Sequence, residues 1–182
     1  MALPRADEDW LAGFSEGLFQ LADAHGCELI GGDTTQGPLN IAITVMGEVP
    51  CAQAVLRSGA RAGDDLYVSG HLGDARLALE AFRGNISLPQ SVFNAARLRM
   101  EMPEPRVVLG QSLRGIATAM ADISDGLLGD LGHILKASQV GAEIDLPAMA
   151  DLMAASAQWN CPKNLASICM LNGGDDYELV FT

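Results

Sequence analysis

The stretch Thr118-Ala119-Met120-Ala121-Asp122-Ile123-Ser124-Asp125-Gly126-Leu127-Leu128 runs from a short apolar segment, through two aspartates and a serine, into a helical pattern. Thr118 to Ile123 predicts a strand. Leu127, Leu128, Leu131, Ile134 and Leu135 fall at helical spacing and predict the inward face of a helix over 126–138. A strand that ends in an acidic loop and turns into a helix is a scaffold for a site. The Asp122 and Asp125 carboxylates offer hard oxygen ligands to a cation, while the amides and dipole of the helix start favour an anion beside it. Ser124 or Asp125 acting as a simple helix cap is the competing reading, and the two roles are compatible.

Three more acidic, glycine-bearing loops lie along the chain: Gly31-Gly32-Asp33-Thr34-Thr35, Gly73-Asp74 and Gly173-Gly174-Asp175-Asp176. Taken singly, the first reads as a hairpin connection, closed by Gly37-Pro38, and the second as the start of a helix. The adjacent acids Asp175 and Asp176 repel one another unless a cation or a hydrogen-bonding substrate lies between them. If several of the loops converge, the ligand they predict is a magnesium nucleotide, with aspartates on the metal and glycine amides near the phosphates. The sequence has no Gly-x-x-x-x-Gly-Lys-Ser/Thr, no Rossmann glycine run and no protein-kinase signature. Magnesium would then stand where other ATP-binding folds place a lysine.

The remaining pattern predicts an α+β protein. An amphipathic helix spans 8–25, with Asp7 as its cap, Gly26 as its stop and Trp10, Phe14, Leu18 and Leu21 on one face. Residues 28–31 and 39–48 alternate like antiparallel strands on either side of the first acidic loop. Pro50 and Arg57-Ser58-Gly59-Ala60-Arg61-Ala62-Gly63 break both rhythms and place a domain junction between about 50 and 63. Beyond it, the pattern predicts strands at 66–68, 142–146 and 177–182. Helices are predicted at 75–83, 90–101, 105–116, 148–158 and 162–171.

Composition narrows the function. The 182 residues are 49% hydrophobic, enough for a packed core, and carry 11 Lys+Arg against 23 Asp+Glu, a formal net charge of −12. Nucleic acids and anionic membrane surfaces need the opposite sign and are disfavoured as partners. Cys27, Cys51, Cys161 and Cys169 form no Cys-x-x-Cys pair, which argues against structural zinc and for buried or inert thiols. The absence of a signal-like leader makes the cytoplasm the expected location.

The loops also occur in a recognisable order. Gly31-Gly32-Asp33-Thr34-Thr35, Arg57-Ser58-Gly59-Ala60, Leu72-Gly73-Asp74, Asp122-Ile123-Ser124-Asp125-Gly126-Leu127 and Gly173-Gly174-Asp175-Asp176-Tyr177-Glu178-Leu179 resemble the thiamine-monophosphate kinase family over nearly the whole chain. That family belongs to the ATP-binding superfamily of aminoimidazole ribonucleotide synthetase. The resemblance implies a two-domain α/β sandwich whose first domain is incomplete: residues 1–55 would be the second half of an ATP-binding, dimerising domain, and 56–182 most of a mixed α/β domain lacking its end. It implies magnesium-assisted transfer of the ATP γ-phosphoryl group to thiamine monophosphate, giving thiamine diphosphate. The complete protein would be a homodimer.

By the same resemblance, Gly32, Asp33, Arg57 and Ser124 would contact ATP, Asp122 and Asp125 would bind magnesium, and Asp175, where relatives carry glutamate, would contact the substrate. No residue is assigned as acid, base or nucleophile, because the acceptor phosphate is already ionised. Gln36 stands where the family usually has arginine. The chain looks like an internal piece, without further magnesium-binding aspartates on its N-terminal side and a substrate-holding tail on its C-terminal side. Another ATP-using enzyme of the superfamily, or a truncated nucleotide-binding module, are the alternative readings.

Overall fold

The computed structural model describes residues 1–149, 152–157 and 159–182. The chain divides into two compact units, Met1–Val49 and Pro50–Thr182.

In the first unit, strand β1 (Ala2–Leu3) precedes helix α1 (Glu8–Ala24), and Thr35–Gln36 forms β2. The helix starts where the sequence places it: an Asp7 carboxylate oxygen accepts the Trp10 amide at 3.1 Å, the satisfied N-cap expected of aspartate. Gly26, at φ 64, ends it in the left-handed conformation that glycine adopts without strain. The expected antiparallel pairing of 28–31 with 39–48 does not form. β1 pairs in parallel with β2, and Ala2 also bridges antiparallel to Asn40, so the N-terminal strand lies between the two arms around Gly37-Pro38. Alternation in a short run specifies a face but not a partner. α1 has no buried residue, and the alternating Ile43 and Val45 are exposed.

The second unit holds the core. Strands β3 (Tyr67–Val68), β4 (Met120–Ile123) and β5 (Glu178–Phe181) form an antiparallel sheet in the order β3-β5-β4. The register pairs Ala121 with Val180 and Ile123 with Glu178, which turns Ala121, Ile123 and Val180 onto the buried face. Helix α5 (Leu127–Ser138) packs on β4 and against α6 (Lys163–Asn172), while α2 (Asp74–Phe82) packs on α3 (Gln90–Glu101). Phe82 meets Phe93 edge to face at 5.1 Å, and the Arg97 guanidinium lies 5.7 Å from the Phe82 ring centre.

Several expected elements change here. Helix α4 covers only Val107–Ser112 of the predicted 105–116. Its C-cap, Leu113, is followed two residues later by Gly115, at φ 77. No strand forms at 142–146; Ile144 packs against the core without a ladder, so its alternation is met by side-chain burial alone. The predicted helix at 148–158 is reduced to 3₁₀ turns at Pro147–Met149 and Ala154–Ala157, and Ala150, Asp151 and Gln158 lie outside the described residues. Leu127, Leu131 and Ile134 of α5 are buried as expected, but Leu128 is exposed. Among the described residues no helix is long and apolar enough to cross a membrane.

Candidate functional site

Three of the four acidic loops meet in the second unit. The loop after β4 and the loop before β5 are stitched together by main-chain bonds: the Asp175 amide donates to the Ser124 carbonyl and the Tyr177 amide to the Ile123 carbonyl, each at 2.9 Å. The approach is close enough to require glycine. A Cβ on Gly174 would stand 2.5 Å from the Ser124 carbonyl oxygen, and one on Gly126 would press on Asn172 and Gly173. The third loop joins through Asp176, whose Oδ2 accepts the Gly73 amide at 2.8 Å. Gly73-Asp74 is thereby the start of α2, with Asp74 buried and accepting the Ala154 and Ala155 amides.

The loops turn one set of acids inward and another outward. Asp176 and Asp74 are buried; burial, offset in part by their amide donors, raises both, and Asp176 is pushed up to about 7. Asp122, Asp125 and Asp175 are exposed. The repulsion expected between Asp175 and Asp176 is relieved by sending the two side chains into different surroundings. Asp175 and Tyr177 achieve this with left-handed backbones, φ 66 and 51, which for tyrosine is a strained conformation. The Tyr177 hydroxyl donates to Asp175 Oδ1 at 3.5 Å. Its phenol is pushed above the usual range by partial burial, then by Asp175, with the Asp122 and Asp125 charges adding to the shift. One tyrosine ring therefore senses all three outward carboxylates.

The three amides that lead into α5 are taken by an acid of the helix itself. Asp130 Oδ2 accepts the Ser124 and Asp125 amides at 3.0 Å and the Gly126 amide at 3.1 Å. What the loop offers outward is the Asp122 and Asp125 carboxylates, neither of which takes a hydrogen bond or ion pair from the described residues, and the Ser124 side chain. That donor set is all oxygen and unneutralised, and it fits magnesium, which takes one or two protein carboxylates and completes its shell with water and phosphate. No group of three or more potential metal-binding side chains occurs among the described residues.

Arg57 is placed elsewhere. Ser138, the last residue of α5, accepts the Gly59 and Ala60 amides through Oγ at 3.1 Å and donates to the Arg57 carbonyl at 3.2 Å. The Arg57 loop is thus fixed at the C-terminal end of a 12-residue helix whose N-terminal end carries the acidic loop. At 1.5 Å per residue the two ends are about 18 Å apart. Gly32 and Asp33 lie in the first unit, just before β2, and are exposed.

Beside the site, Glu178 is buried between strands. Arg106 grips it with two nitrogens at 2.7 Å, Arg99 adds a third contact at 2.7 Å, and the Ser69 hydroxyl donates to it. A Cβ at Gly70 would collide with this carboxylate at 2.5 Å. Burial opposes its ionisation, but Arg106, Ser69 and Arg99 together hold it below the usual glutamate range. Sequence reasoning missed Asp130 and Glu178 as supports. The available signal for Asp130 was an acid four residues after Gly126, in the first turn of a helix whose N-cap position has no side chain.

Both units have counterparts in known proteins. The AIR synthase related protein C-terminal domain matches residues 61–181, and the corresponding N-terminal domain matches residues 1–49. The chain belongs to the AIR synthase related family. Over its full length it is 40% identical to the thiamine-monophosphate kinase of Salmonella typhimurium, of which it covers 56%, and 41% identical to that of Haemophilus influenzae, of which it covers 55%. It therefore spans little more than half the length of these curated relatives. A crystal structure of thiamine-monophosphate kinase from Stenotrophomonas maltophilia superposes with a TM-score of 0.90 at 45% identity, covering 99% of this chain and 58% of that one. AaThiL complexed with AMPPCP and TMP shares the fold, with a TM-score of 0.70 at 24% identity over 99% of this chain and 58% of that one.

The fold is accordingly the α+β architecture of this family, present in part. Of the thiols, Cys169 is buried, its pKa pushed up to about 12 by burial, whereas Cys27 and Cys51 are exposed.

Proposed function

We propose that this chain carries part of the active site of an ATP-dependent thiamine-monophosphate kinase, which transfers the γ-phosphoryl group of ATP to thiamine monophosphate. The observation that carries this reading is the stitching of the Asp122–Asp125 loop to the Asp175 loop by main-chain bonds, with all three aspartates exposed, in a sequence aligned end to end with curated kinases of that activity. A relative of the same fold in complex with AMPPCP and TMP supports the pairing of a nucleotide with the acceptor.

In this reading Asp122 and Asp125 hold magnesium, which supplies charge neutralisation between two anionic reactants. The Ser124 hydroxyl contacts ATP. Asp175, held outward by its left-handed backbone and the Tyr177 hydroxyl, contacts the substrate. Gly32 and Asp33 are further ATP contacts, and Arg57 is a phosphate contact. No general base is needed, so the residues act by placing the reactants in line and by excluding misaligned approaches. The exposed apolar residues of the first unit, including Ile30, Ile43 and Val45, suit the homodimer that the resemblance implies.

The test is formation of thiamine diphosphate from thiamine monophosphate, ATP and magnesium by the protein at its full encoded length. Turnover should require all three components. A folded protein that binds magnesium-ATP yet phosphorylates a different acceptor would assign it to another activity of the family.

A further inference from the structure

We infer that Asp130 is a positioning residue for the cation, acting through the backbone of the Asp122–Asp125 loop. This rests on the proposed reading of Asp122 and Asp125 as magnesium ligands. Asp130 is buried in the first turn of α5, and one of its oxygens gathers three consecutive amides, those of Ser124, Asp125 and Gly126. Gly126, the N-cap of that helix, has φ 123 and supplies no side-chain cap, and Asp130 reaches back from inside the helix to its amide and the two before it.

Two consequences follow from the geometry. Three converging donors fix the main chain of Ser124, Asp125 and Gly126, and with it the direction in which Asp125 leaves the backbone, next to Asp122, which the β4–β5 ladder holds opposite Leu179. The same three amides are thereby satisfied inside the fold by a buried carboxylate. The Asp130 carboxylate is turned to the amides, so it acts on the cation by holding Asp125, as outer partners of metal ligands do.

The experiment is Mn2+ binding, followed by electron paramagnetic resonance on the full-length protein with and without ATP, for wild type, D130A and D130N. Wild type should bind Mn2+, and Asp122→Asn should weaken that binding. D130A should weaken Mn2+ binding about tenfold or more. D130N keeps an oxygen that accepts the amides and should recover most of the loss. A folded D130A within twofold of wild type overturns the inference, as does equal weakening in D130A and D130N, which would reduce the effect to lost charge. Where D130A does not fold, D130E serves instead: it keeps the charge and displaces the oxygen, and unchanged Mn2+ affinity overturns the inference. Wild type that binds no Mn2+ overturns both this inference and the proposed function, whereas Mn2+ binding indifferent to Asp130 overturns this inference alone.

Discussion

The Gly73 amide donates to Asp176 Oδ2 at 2.8 Å, tying the start of α2 to the loop that carries Asp175. Asp176 is raised from 3.8 to about 7, mainly by burial and in smaller part by the Asp74 charge, with the Gly73 and Ala75 amides and Arg99 working against the shift. An aspartate whose folded pKa lies above its unfolded value takes up a proton on folding between the two. Its contribution is fully present below about pH 4 and is lost as pH rises through about 7. Asp176→Asn should therefore gain stability relative to wild type at pH 8, on the order of a few kcal/mol, and lose that advantage near pH 4. Urea unfolding midpoints at the two pH values check this; a constant difference between variant and wild type would contradict it.

Glu178 titrates with the opposite sign. Arg106, Ser69 and Arg99 overcome the effect of burial and hold its pKa below 4.5, so its contribution is present above that value and fades as pH falls through the folded pKa. Replacing it with glutamine leaves Arg99 and Arg106 facing a neutral group in a buried setting, and breaking such a pair costs about 3–5 kcal/mol. Glu178→Gln should lower the denaturant midpoint accordingly at pH 7, and the loss should shrink in acid. A midpoint equal to wild type at neutral pH would show that the two arginines find other partners.

Gly174 separates a steric requirement from a conformational one. Its φ is not in the left-handed range, so alanine meets no backbone penalty there, but the added Cβ would stand 2.5 Å from the Ser124 carbonyl oxygen. The neighbour is main chain and cannot swing away. Gly174→Ala should part the Asp122–Asp125 and Asp175–Tyr177 loops at a cost of about 1–3 kcal/mol and depress thiamine diphosphate formation more than it depresses stability. Equal catalytic rates in a folded variant would mean that the loops need not touch for function.

Why some of this was legible from sequence alone follows from where the information sits. Asp7 and Gly26 mark the two ends of α1 through local hydrogen bonding and backbone freedom, and the structure places both ends there. Gly73-Asp74 and the strand-turn-helix at 120–138 are equally local. The pairing of 28–31 with 39–48 was not, because it depends on which edge is free, and the two-residue β1 carries no periodic signal yet takes the place between the arms. The opposite fates of Asp175 and Asp176 are also invisible in sequence: both are acids in one turn, and only the contact with Gly73 decides which one is buried. Arg57 shows the same limit, since its distance from the acidic loop is set by Ser138 at the far end of α5.

Unlike Asp130, Asp74, Asp176 and Glu178, Asp122 and Asp125 have no protein donor to lose among the described residues. Asp130 holds three amides, Asp74 two, Asp176 the Gly73 amide and Glu178 two arginines and a hydroxyl, whereas the Asp122 and Asp125 carboxylates take no hydrogen bond or ion pair among the described residues. Removing their charge therefore costs the fold little, and relief of their mutual repulsion tends to stabilise it. In the proposed reading each of these aspartates is a direct ligand of the cation, so removing either charge strikes the site itself. Asp122→Asn and Asp125→Asn in the full-length protein should each abolish measurable magnesium-dependent phosphorylation of thiamine monophosphate while leaving the unfolding midpoint within about 0.5 kcal/mol of wild type. Raising magnesium should rescue neither variant fully, since the lost ligand fixes position as well as affinity. Unchanged magnesium-dependent turnover in either variant would remove these aspartates from the metal site.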